Sequence, residues 1–288
     1  MFIFFIFLTV IFMFTFQTVS FKQFNRTLMK NGASYFLFSA VYYAGICALL
    51  FIAGFSASEF SPQVVRLAAL FGASFICAMY FYMKAMENGP LGLSFLFFSA
   101  GMLAPIVFGI IRYGEPAPPH RAAGLLLLFA AFFVSARGDG GGKINKKWVV
   151  YILLGSLSNG TIGIAQKSFK NTGSGSIVGF LFLAFALAAG AALLAGLVLL
   201  SRGQRVSGFN SRTFAAVAAG AAITTAAGNF VMVYLSLHVS AMVQFPIVNG
   251  ALVITSILAS RLIFKEKITA RHLQAIAVGL AAIVILSV

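Results

Sequence analysis

Carboxylates are scarce in this sequence. Five acids, Glu59, Glu87, Glu115, Asp139 and Glu266, serve 288 residues, and each falls in a polar link or at the end of an apolar run. An intramembrane carboxylate that binds protons or cationic drugs in exchange has no counterpart here. Cysteine is equally rare. Cys47 and Cys77 both lie inside apolar runs, which excludes a disulfide or zinc framework and predicts two reduced, buried thiols. The histidines, His120, His238 and His272, are scattered, so no metal site is expected. Gly138 to Gly142 is glycine-rich, but no Gly-Lys-Ser/Thr follows it, and a nucleotide-binding loop is therefore absent. No clustered acid pair, and no nucleophile with its base, is present; His238 near Ser240 is a two-residue coincidence. An enzyme is not expected, and neither is a cofactor.

What the chain has in abundance is apolar sequence. Hydrophobic residues make up 61% and charged residues 9%, with a mean hydropathy of +1.01. A helix needs roughly 20 apolar residues to cross the hydrocarbon of a bilayer. Ten such spans are expected, at about 2–19, 34–55, 64–86, 91–113, 121–136, 148–169, 177–200, 214–235, 239–264 and 273–288. The first has no basic start and no small-residue cleavage pattern, so it reads as a span and not as a signal peptide. The net charge of +15 would suggest nucleic acid in a soluble protein. Here the bases sit in links and at span ends, where they act as topology signals and lipid contacts; no nucleic-acid partner is expected. Fifteen of the 20 Lys and Arg fall on the side that follows spans one, three, five, seven and nine. That bias places this side in the cytoplasm and both termini outside.

The second half repeats the first. A shift of 144 residues lays Phe36-Leu37-Phe38 on Phe180-Leu181-Phe182, and Thr15, Val19, Lys22 and Arg26 on Asn159, Gly163, Gln166 and Lys170. A shift of 151 lays Tyr113-Gly114-Glu115 on Phe264-Lys265-Glu266. The repeats expected are 1–137 and 148–288, joined by a linker at 138–147. Five spans is an odd number, so the halves run through the membrane in opposite senses. The fold expected is an all-α membrane protein of ten transmembrane helices in two inverted five-helix repeats, the architecture of secondary transporters.

The residues that carry a closer resemblance are Pro90-Leu91-Gly92 through Pro105, Gly114-Glu115 and Gly124 in the first half. In the second they are Ser240-Ala241, Pro246, Lys265-Glu266-Lys267-Ile268-Thr269 and Gly279. Over essentially its whole length the chain resembles the drug/metabolite transporter superfamily of the EamA type. The resemblance implies a ten-helix carrier that moves small metabolites, amino acids or drugs by alternating access, with export favoured. Members usually have cytoplasmic termini, the reverse of what the charge count gives here.

Polar groups inside hydrocarbon usually face a bundle interior or a water-filled path. The candidate cavity-lining residues are Asn159 and Gln166 on span six, Asn229 on span eight, Gln244 and Asn249 on span nine, Tyr80 and Tyr82 on span three, and Ser94 on span four. The alternative for each amide is interhelical hydrogen bonding, worth ~0.6 kcal/mol on average. Pro105 and Pro246 each remove a backbone hydrogen bond in the fourth span of a repeat, a paired interruption that points to a binding site. Glu115 and Glu266 precede each repeat's last helix, where a carboxylate caps that helix; gating is the other role open to them. Lys22, Lys84 and Lys167 either snorkel to the interface or meet an anion at a cavity mouth. This inventory suits a neutral, zwitterionic or weakly anionic solute as partner, with membrane lipid around it. A lipid-linked or polyprenyl headgroup flippase is the alternative, its basic pocket drawn from Lys22, Arg26, Lys167 and Lys170.

Overall fold

The computed structural model describes residues 2–27, 31–55, 60–88, 91–136, 145–172, 175–206, 211–265 and 269–287. Apolar residues on all sides of each run leave the backbone no choice but to satisfy its own hydrogen bonds, which a helix does. The elements in chain order are α1 (Phe2–Thr27), α2 (Gly32–Ile52), α3 (Pro62–Asn88), α4 (Leu91–Ala100), α5 (Leu103–Tyr113), α6 (Pro119–Ala136), α7 (Lys146–Phe169), a 3₁₀ turn (Lys170–Thr172), α8 (Ile177–Ser201), α9 (Ser211–His238), α10 (Ala241–Phe264) and α11 (Ala270–Ser287). Among the described residues nine stretches are long and apolar enough to cross a membrane, and Pro119–Val134 is a shorter apolar helix. The chain is an all-helical, multi-pass membrane protein.

Helix starts are written locally. Asn31 accepts from the Ser34 N–H, Ser176 from Gly179 and Asn145 from Trp148, at 2.9, 3.0 and 2.8 Å. Each side chain takes one of the orphan donors of a first turn. The first span extends further than its apolar run suggested, because α1 carries on through Gln17 and Gln23 to Thr27. The two proline spans behave differently. The fourth is interrupted at Gly101-Met102, which separates α4 from α5 three positions before Pro105; α10 runs unbroken through Pro246.

The helices assemble into two compact units, each drawn from both halves of the sequence. The first comprises Met1–Ile76 and Ser168–Tyr234, the second Cys77–Lys167 and Leu235–Val288. In the first unit α2 packs along α8, where Gly196 admits Leu37; a Cβ at Gly196 would lie 2.9 Å from the Leu37 Cδ2. Gly72 of α3 approaches the Ala184 carbonyl too closely for any side chain. Aromatic rings fill the remainder: Phe24 stacks on Phe38 at 3.8 Å, and Tyr43 meets Phe75 and Phe185. In the second unit α11 packs on α6 and α10, with Gly124 beneath Leu286 and Gly250 beneath Leu128. Cys47 is half-buried. Cys77 is exposed on α3, against the expectation of two buried thiols, because it sits on the outward side of its helix.

Candidate functional site

In the second unit one face of α7 organises a polar construction. Ser156, Gly160, Gly163 and Lys167 recur at intervals of four, three and four, so they form a single stripe. Its first part meets the interruption between α4 and α5. Backbone carbonyls beside a break need partners inside hydrocarbon: the Phe98 carbonyl takes the Gly101 N–H at 3.1 Å, and α7 supplies further donors. Ser156 Oγ donates to the Phe97 carbonyl, and Asn159 Nδ2 donates to the Phe98 carbonyl at 3.1 Å. Close approach makes this possible: a Cβ on Gly101 would sit 2.5 Å from the Ser156 carbonyl, and one on Gly160 would sit 2.7 Å from the Ala104 Cβ. One turn further along, a Cβ on Gly163 would collide with Pro105 at 2.6 Å and with Phe245 of α10 at 3.1 Å. The ring at Pro105 and the residue before Pro246 therefore converge on one glycine.

The stripe ends on an ion pair whose ammonium is buried and whose carboxylate is partly so. Lys167 Nζ lies 2.6 Å from Glu115 Oε1, with side-chain exposures of 2% and 14%. The same ammonium donates to the Val239 carbonyl at 2.7 Å and the Ser236 carbonyl at 3.2 Å, at the C-terminal end of α9. The other Glu115 oxygen accepts the Ala241 N–H, the first of α10, at 2.6 Å. Both charges sit at the helix ends that favour them, the cation on carbonyls and the anion on an N–H. The backbone prepares this. Gly114 closes α5 in the left-handed region at φ 62°, a conformation that glycine takes at no steric cost, and the chain turns back so that Glu115 N–H bonds the Gly109 carbonyl at 3.2 Å. The carboxylate then lies over Gly109, where a Cβ would come within 2.7 Å of Oε2.

Glu115 therefore caps α10 and not α6, the helix that follows it in sequence. Lys167 neither snorkels to the interface nor waits for an anion, because a carboxylate already holds it. Lys84 pairs with Glu87 at 2.7 Å on an exposed turn, an interaction of small worth. The Lys22 and Arg26 side chains, and Glu266 altogether, lie outside the described residues.

The remaining sequence candidates divide between the units. Ser94 is fully buried and accepts the Trp148 indole N–H at 2.8 Å. Tyr82 lies against Phe98 at 4.3 Å, and Tyr80 meets Phe81 edge-on. Gln166 is buried beside Lys167, and Gln244 is buried with its carbonyl accepting from Ser236 Oγ at 3.0 Å. Asn249 donates to the Phe245 carbonyl of its own helix at 2.8 Å. All of these belong to the second unit. Asn229 belongs to the first, where it donates to the Thr225 carbonyl, while Thr225 Oγ1 accepts from Gln17 Nε2 at 2.5 Å. Sequence reasoning placed Asn159 and Gly163 on one helix face. It missed Ser156, Gly160, Gly109 and the Glu115–Lys167 pair. The spacing of the first two was available as a signal; the pair, 52 positions apart along the chain, was not.

No family model matches the chain, and no curated protein matches it. Solved structures do: one crystal structure, described only as that of a protein, superposes with a TM-score of 0.78 at 15% identity. The match covers 97% of this chain and 94% of the other. The fold is therefore one that an experimental structure already displays over nearly its full length.

Proposed function

We propose that this protein is a secondary carrier of the plasma membrane. It moves a small neutral, zwitterionic or weakly anionic metabolite, in the export direction, by alternating access between two inverted five-helix repeats. The observation that carries this reading is the broken fourth span, where Ser156 and Asn159 of α7 donate to the Phe97 and Phe98 carbonyls beside the break. Discontinuous helices near mid-membrane are how secondary transporters place backbone groups where a solute can use them. A purely structural bundle has no need of the break. The internal repeat and the resemblance to EamA-type carriers point the same way. The polar groups inside the spans are amides, hydroxyls and phenols, and Glu115, a partly buried carboxylate, is neutralised by Lys167. That inventory suits a solute without strong positive charge. The flippase alternative loses Lys167 from its basic pocket for the same reason.

A thermal-shift screen in detergent tests the proposal. Amino acids, nucleosides, sugars, organic anions, cationic drugs and lipids are compared, since a ligand that binds only the folded state raises the melting temperature by mass action. The expected result is stabilisation by a small solute that weakens in Asn159→Ala and Asn249→Ala. Stabilisation by anionic or polyprenyl lipid alone would replace the carrier with a flippase.

A further inference from the structure

The Glu115–Lys167 pair has a coordination pattern that an ordinary ion pair does not require. Lys167 Nζ meets a carboxylate oxygen of Glu115 at 2.6 Å, the Val239 carbonyl at 2.7 Å and the Ser236 carbonyl at 3.2 Å. Two of the three are main-chain carbonyls at the end of α9, where the helix dipole is negative. Carbonyls at helix C-terminal ends are groups with which membrane carriers coordinate sodium, and hard cations take oxygen ligands, carboxylates and backbone carbonyls among them. The Ser240 hydroxyl, between the two residues whose backbone completes the cluster, is buried with no hydrogen-bond partner among the described residues. Here the cation is supplied by the chain. The ammonium arrives on a four-carbon stem from the end of α7 and is 2% exposed.

We propose that the oxygens of Glu115, Ser236 and Val239 form a monovalent-cation site, of which Lys167 is the tethered occupant. This deepens the carrier reading, on which its meaning for transport rests: a site filled by the protein's own ammonium leaves no place there for sodium, so the carrier is not sodium-coupled through it. Removing the ammonium uncovers the site. Truncation at Lys167 withdraws a long buried side chain and leaves a carboxylate and two carbonyls facing the space it vacates. An alkali cation with its residual water then restores charge balance.

The test needs no transported solute. The melting temperature of the purified full chain is measured in detergent while choline chloride is replaced by sodium or potassium chloride at constant ionic strength. The wild-type protein is expected to be indifferent to the exchange. Lys167→Ala is expected to melt lower in choline and to regain stability saturably as sodium or potassium rises. Lys167→Ser, which adds an oxygen, is expected to respond at lower cation concentration. Adding Glu115→Gln to Lys167→Ala should abolish the response, since the anionic ligand is then gone. A variant soluble only in sodium or potassium gives the same support. Folded variants that ignore the cation, variants that fail to fold in all three salts, or a wild-type protein that gains saturably from sodium would each overturn the inference. A cation response with no solute found in the screen would leave this site standing and remove the carrier; a solute without a cation response would do the opposite.

Discussion

Replacing Glu115 with leucine leaves the Lys167 ammonium buried at 2% exposure without its carboxylate, against the Ser236 and Val239 carbonyls. Breaking a buried ion pair by deleting one partner costs about 3–5 kcal/mol, because the surviving charge is uncompensated. The Ala241 N–H loses its charged acceptor as well. Lys167→Met should cost less, since Glu115 keeps the Ala241 N–H and reaches solvent through its 14% exposure. The double variant Glu115→Leu/Lys167→Met removes both charges and should recover much of the loss, a coupling of about 0.5–3 kcal/mol between the two sites. Unfolding can be followed in detergent by the emission of Trp148, the only tryptophan in the chain. Working in choline salts keeps alkali cations out of the comparison. If Glu115→Leu is as stable as the wild type, or the double variant loses the sum of the single losses, the clasp does not hold the last turn of α9, the start of α10 and the end of α5 together.

Three further outcomes follow from the packing. Ser94→Ala strands the buried indole N–H of Trp148 and should cost about 1–3 kcal/mol, with a measurable change in tryptophan emission at unchanged secondary structure by circular dichroism. Gly160→Ala forces a methyl against Ala104 and the Gly101 carbonyl and should cost about 1–3 kcal/mol as an overpacked contact; Gly190→Ala, whose added Cβ meets nothing within 4 Å, should be neutral or slightly stabilising. Melting temperatures of the two alanine variants, measured side by side, check the contrast. Asn249 bonds only its own helix through Nδ2 among the contacts described, so Asn249→Ala should weaken solute-induced stabilisation while leaving the ligand-free melting temperature near that of the wild type.

The helical, membrane-spanning character was legible because it rests on apolar run length, a property of composition over twenty residues at a time. Pro105 showed that the fourth span would be interrupted, yet Pro246, equally visible, leaves α10 continuous. A proline removes one donor in either place, yet only the fourth span parts, and there the Gly101 carbonyl left by Pro105 takes the Ala104 N–H at 3.1 Å. Ser156 and Asn159 donate to the Phe97 and Phe98 carbonyls beside the break; their helical spacing is readable, but which span they face is not. Glu115 was recognised as a capping acid, but the helix it caps begins at Ala241, 126 positions later. Its basic partner looked like one of several interfacial lysines. Long-range pairing of single charges leaves no periodicity to read, whereas glycine and small polar residues recurring every three or four positions do.

Counterflow in proteoliposomes tests the central claim most directly. Vesicles preloaded with the solute identified by thermal shift, diluted into a trace of the labelled compound, should accumulate the label transiently and saturably without ATP. Asn159→Ala should reduce the accumulation. Vesicles that accumulate none of the neutral, zwitterionic or weakly anionic solutes, while labelled lipid crosses between their leaflets, would contradict the account and assign the fold to lipid movement.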